Sequence, residues 1–273
     1  MIPPLITALL ALSLAAPPAD LSAALRRLQE EDLAGAGPVI EAAALARPED
    51  PSARRALGEL RFYQHRYQEA VTLLEAATSG AGQSVLLRLA RAASELASTQ
   101  EQFESEHFIV AYPKGKDAVL VPYLLETLEA ERAALAADLG VAPAGKVRVE
   151  VLGSVSDLAR LSTLTDAEIR ASGTIALCKY DKLMLVSPKA LFTGYDWLDT
   201  AAHEYVHYAV MRKAGPATPI WLHEGLAKWL ETRWRGAGGK RVVEGLDSRS
   251  GDRQAVARGA QHRNDLAAPR GVA

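Results

Sequence analysis

Residues 200–231 read T-A-A-H-E-Y-V-H-Y-A-V-M-R-K-A-G-P-A-T-P-I-W-L-H-E-G-L-A-K-W-L-E. His203, Glu204 and His207 stand in the order H-E-x-x-H. On a helix, side chains four apart share a face, so both imidazoles can reach one metal ion. Glu204 follows about 100° further round. It lies off the coordinating face but can reach a water beside the metal. The neighbours Ala201, Ala202, Tyr205, Val206, Tyr208, Ala209 and Val210 are uncharged, as in a buried helix. Two histidines on an apolar helix can also be hydrogen-bonded core residues, so a third donor is needed to decide between the readings. Gly215 and Pro216 end the first helix, and Pro219 can open a second. Glu224 then falls one turn in, among Ile220, Trp221, Leu222, Leu226, Ala227, Trp229 and Leu230. A carboxylate on a buried apolar face is costly unless paired or bound to metal, and two histidines with one glutamate form a standard catalytic zinc set.

H-E-x-x-H followed by W-L-x-E-G-L-A resembles the gluzincin metallopeptidases, the thermolysin-like or peptidase MA-like group, and especially bacterial domains of this kind joined to helical repeats. The resemblance covers about residues 105–235. It implies that His203, His207 and Glu224 hold Zn2+, that Glu204 is the general base, and that the substrate is a peptide or protein. In thermolysin an acidic residue four positions after the glutamate ligand supports a ligand histidine, whereas this chain has Lys228 there. Glu231, seven residues after Glu224 and on the same helical face, is the candidate acceptor behind a ligand histidine. His223 is expected to point elsewhere, as a pocket wall or surface residue. Such proteins usually continue with further helices that can supply a transition-state donor. Tyr195, Tyr205 and Tyr208 are the candidates here, and His262 is the only histidine beyond the motif.

At 273 residues the chain has room for two modest domains. Its 31 basic and 33 acidic residues leave a net charge of −2, which gives no electrostatic reason to expect nucleic acid or an anionic membrane surface as partner. A single cysteine, Cys178, excludes an internal disulfide and a cysteine-based metal site. Residues 5–16, L-I-T-A-L-L-A-L-S-L-A-A, are too short to span a bilayer, which takes about 20 residues. They suit the apolar stretch of a secretory signal peptide over 1–16, with Ser13 and Ala15 as the small residues before a cleavage, although Met1–Pro4 carries no basic residue. The expectation is an exported protein, periplasmic or secreted, without stable membrane insertion.

Residues 20–100 are rich in alanine, leucine and arginine with helical periodicity. Residues 53–77 resemble a tetratricopeptide repeat: Leu57-Gly58 falls in a first helix, and Tyr67, Ala70, Leu74 and Ala77 follow at the repeat's spacing. Small residues at Gly58 and Ala70 would let the two helices approach closely. Ala36, Ile40, Ala43 and Pro48 continue the pattern backward, while residues 85–96 begin a third unit whose second helix is missing. This segment reads as an accessory module able to bind a protein partner. The alternative to an enzyme is therefore a scaffold with a weak or inactive zinc domain.

From Phe103 to Tyr112 apolar and polar residues alternate as in a strand, which would include His107 as a structural residue. A helix is expected over 117–139, stopped by Gly140, then a strand over 147–152 and a helix over 154–163. Strands over 173–178 and 182–186 would be joined by a Tyr180-Asp181 turn. In gluzincins the sheet's edge strand binds substrate backbone, and here that edge lies between Gly173 and Val186. The fold class is α+β: helical hairpins over 20–100, then a small mixed sheet and the two motif helices over 103–235. Residues 236–273 show no period and read as a disordered or truncated tail.

Overall fold

Aspartates open the helical half. Asp20, Asp32 and Asp50 accept backbone N–H groups of Ala23, Gly35 and Ser52, capping α1 (Leu21–Gln29), α2 (Leu33–Ala46) and α3 (Pro51–Tyr63). These elements belong to a computed structural model that describes residues 20–77 and 84–236. α4 (Tyr67–Ala77) packs along α3, and Gly58 sits at the closest approach. A Cβ there would meet Leu74 Cγ at 2.8 Å, so even alanine would push the helices apart. The hairpin expected over 53–77 is present, with α1 and α2 before it. α5 (Val85–Thr99) starts at its Ser84 cap and runs directly into a strand, so no second helix follows it. The proposed signal peptide over 1–16 lies outside the described residues, as does the tail expected over 236–273 apart from Gly236.

The sheet has five strands: β1 (Gln100–Glu104), β2 (Phe108–Pro113), β3 (Val147–Leu152), β4 (Ala176–Lys179) and β5 (Lys182–Val186). Their spatial order is β1-β2-β3-β5-β4, with β2–β3 and β3–β5 parallel and both outer pairs antiparallel. α6 (Val121–Leu139) makes the first crossover and ends at Gly140, whose φ of 63° is the left-handed conformation that stops a helix. α7 (Val155–Leu161) and α8 (Asp166–Ser172) make the second, and α9 (Trp197–Ala214) and α10 (Ile220–Leu230) follow the sheet. No helix among the described residues is long and apolar enough to cross a membrane. The chain is α+β, with N-terminal helices followed by a small mixed sheet and further helices.

Three local expectations need correction. The single strand expected over 103–112 is two strands around a turn. Glu129 of α6 accepts from Ser105 Oγ, the His107 backbone N–H and the His107 ring, pulling residues 105–107 out of the ladder, so His107 lies in the turn. The helix expected over 154–163 ends at Leu161, and α8 follows in a stretch assigned to no element. A Thr165–Glu168 capping box starts it, and the next strand therefore begins only at Ala176. Finally, α10 is not buried all round. Its outer face exposes Trp221 and Trp229, each at 74%, and Leu222, because α9 covers one side alone.

Both faces of the sheet are covered. Phe108, Val110, Val147, Val149, Leu183 and Leu185 pack with α6 and α9. On the opposite face, Leu152, Met184 and Val186 join the core of α1–α5 and α7. Between the sheet and α4 lies a buried polar cluster. Glu150 accepts from Tyr67 Oη at 2.6 Å, Arg148 Nε at 2.9 Å and Lys182 Nζ at 2.8 Å, and Lys182 also donates to Tyr67 Oη at 3.0 Å. Burial opposes the charge on Glu150, but the Lys182 and Arg148 cations outweigh it and hold the carboxyl well below its usual range. The β4–β5 turn reaches into the helices as well. Tyr180 packs edge-on against Phe62 at 5.2 Å and Tyr63 at 5.8 Å. Tyr180 and Asp181 both take φ of 59°, the two-residue hairpin geometry. Arg212 of α9 ties Asp181 to the Glu31 carbonyl of the α1–α2 loop.

Beyond α10, residues 232–236 are stapled to α6 and α9. Arg233 pairs with Asp138 at 2.6 and 2.8 Å, and the Trp234 indole donates to Asp199 at 3.1 Å. The Trp234 backbone N–H donates to Glu131 Oε2 at 2.8 Å, while Glu131 Oε1 is buried with no hydrogen-bond partner among the described residues. Burial pushes the Glu131 carboxyl up to about 8. A raised folded-state pKa gives stability that is full below the unfolded value near 4.5 and lost as pH rises toward 8. Glu131→Gln keeps the acceptor and removes the titration. We expect it to stabilise the protein by roughly 2–4 kcal/mol at pH 8 and by little at pH 4.5. Urea melts at the two pH values check this, and an equal effect at both would refute it.

Candidate metal centre

α9 is buried without interruption from Thr200 to Val210, which places His203, Glu204 and His207 in the interior, each no more than 3% exposed. α10 packs beside it and turns His223, Glu224, Ala227, Leu230 and Glu231 inward, a stripe at helical spacing. His203 Nε2 and His207 Nε2 lie 3.1 Å apart. Glu224 lies against both rings, with Oε2 at 3.7 Å from His203 Nε2 and Oε1 at 3.4 Å from His207 Nε2. This group could hold a metal ion. A tetrahedral zinc with bonds of about 2.0–2.1 Å holds its ligand atoms about 3.3 Å apart, close to the separation of the two imidazole nitrogens, while Glu224 approaches each ring through a different oxygen.

The supports behind the donors are unlike. His203 Nδ1 lies 3.0 Å from Glu231 Oε2 and donates to it, since an ionised carboxylate can only accept. Lys228 pairs with the other oxygen of Glu231. Burial works against the ionised Glu231, but the His203 and Lys228 hydrogen bonds prevail and lower its pKa. Burial also opposes a proton on His203, yet Glu224, Glu231 and the Glu204 charge hold the imidazole up to about 9. A cation and a proton therefore compete for this ring. His207 Nδ1 meets His223 Nδ1 at 2.6 Å, and the two rings lie edge to edge with centroids 4.8 Å apart. His223, expected to point elsewhere on the helix, thus faces the His207 ring. Its place directly before Glu224 on the inward stripe was the available signal.

Of the three tyrosines, Tyr195 is the one whose phenol feels the Glu204 charge. Burial and the Glu204 charge push its phenol well up, and its hydroxyl donates to the Val186 carbonyl. Tyr205 packs on Phe108 at 5.2 Å in the core, and Tyr208 lies under Arg212 at 4.9 Å. His262 is outside the described residues. The edge strand sought between Gly173 and Val186 is β4, because β5 is enclosed between β3 and β4. No protein-family model, no curated protein and no solved structure matches this chain.

Proposed function

We propose that the chain is a zinc-dependent peptidase of gluzincin type, acting outside the cytoplasm. The observation that carries the reading is the convergence of His203 Nε2, His207 Nε2 and the Glu224 carboxylate, from which one atom each can be chosen within 4.8 Å of the others. Zinc held there supplies Lewis acidity toward a scissile carbonyl and an attacking water. Glu204, next in sequence to one donor and buried beside it, takes the proton of that water and passes it to the leaving amine. Glu231 and His223 orient the donor imidazoles. β4 offers its free edge to an extended peptide backbone. The helices α1–α5 use one face against the sheet, and a protein partner would meet the face left over.

Zinc stoichiometry tests this on the purified chain and on His203→Ala and Glu224→Ala. One zinc per chain, lost in both variants, is the expected result. A parent chain that stays free of zinc after reconstitution would overturn the reading and leave the helical scaffold as the account of this protein.

A further inference from the structure

We infer that His223 is a positioning residue for His207, a role that rests on the metal reading above. The two nitrogens of the His207 ring face different partners: Nε2 faces His203 and Glu224, and Nδ1 faces His223. A ring nitrogen that gives its lone pair to a cation carries no proton, so the proton of neutral His207 must sit on Nδ1. At 2.6 Å, His223 Nδ1 is placed to accept it. His223 then keeps its own proton on Nε2, and the pair is fixed in one tautomeric arrangement. The rings meet edge to edge with their planes 28° apart, so this hydrogen bond runs close to both ring planes and limits rotation of His207.

The two ligand imidazoles are thereby held in different ways. His203 leans on a carboxylate, Glu231, whereas His207 leans on a neutral ring. Glu204, Glu224 and Glu231 already surround the site. A fourth carboxylate behind His207 would add another negative charge to this buried pocket. An imidazole acceptor orients the ligand without adding that charge. Adjacency to Glu224 means that one turn of α10 sets both a metal donor and the support of another.

The test uses the full chain with zinc and with Co2+ as probes. His223→Phe keeps an aromatic ring and removes the acceptor, while His223→Asn offers Oδ1 near the position of Nδ1. His223→Leu replaces the phenylalanine variant if that ring disturbs folding. Zinc affinity by chelator competition should fall about 10–100-fold in the variant without an acceptor. His223→Asn should recover most of that loss. The visible bands of the Co2+ form should change and recover in the same pattern, while metal-free melting temperatures stay level. Zinc affinity and Co2+ bands equal to the parent in His223→Phe would overturn the inference with the metal reading intact. Equal loss in His223→Asn and His223→Phe would also overturn it, leaving a steric role. A parent that binds no zinc overturns the metal reading, and this inference with it.

Discussion

Glu204→Gln should lower peptide hydrolysis by about 10²–10⁴-fold while one zinc stays bound. Glu204 is 2% exposed and adjoins His203 on α9, but it is not part of the three-donor group. Glutamine keeps the size and an acceptor oxygen but cannot take a proton from water. The loss should therefore fall on kcat, with KM little changed, because substrate grip is assigned to the β4 edge rather than to this side chain. Turnover of a fluorogenic peptide library and metal content, measured on one preparation, decide the matter. Loss of zinc would make Glu204 structural, and undiminished turnover would remove it from the chemistry.

Lys182→Met should destabilise the fold by about 3–5 kcal/mol, the usual result of breaking a buried ion pair by removing one partner. Lys182 is 1% exposed and donates to both Glu150 and Tyr67. Without it, Glu150 keeps Arg148 as its counter-charge in a buried seam. The melting temperature should drop by about 10 °C for a chain of this size. Replacing the set together, with Arg148→Met, Glu150→Leu and Lys182→Met, should cost less than the single change, since no charge is then stranded. A single-variant loss under about 1 kcal/mol would contradict this, as would a triple variant worse than the single one. Zinc content of the folded fraction should not change, because the cluster lies on the sheet face away from α9.

The sequence makes the donors legible because their spacing is local. His203 and His207 are one turn apart on one helix, and Glu224 and Glu231 share a face of the next. Strand interiors are equally plain where β-branched and leucine runs fill them, as in β3 and β5. What escapes is set by distant partners. The turn at Ser105–His107 exists because Glu129, more than 20 residues away, claims its polar groups, and alternation alone runs straight through it. The exposure of Trp221 and Trp229 depends on what packs over α10, which no period reveals. α8 announces itself by T-D-A-E, a capping box short enough to pass as loop. The pairing of His207 with His223 needs the crossing of two helices, though His223 has the right helical phase for it.

The seam between α4 and the sheet bears on the order in which the chain matures. Tyr67 waits for Glu150 and Lys182, which follow it by 83 and 115 residues. During synthesis the short-range helical hairpins leave the ribosome first, with Phe62, Tyr63 and Tyr67 uncovered until β3 and the β4–β5 hairpin arrive. The parallel pairings β2–β3 and β3–β5 close only after long crossovers, so this interval belongs to the slow part of folding. A nascent chain halted before residue 187 therefore presents an aromatic face that the finished protein conceals, and it is the species that a holding chaperone would meet.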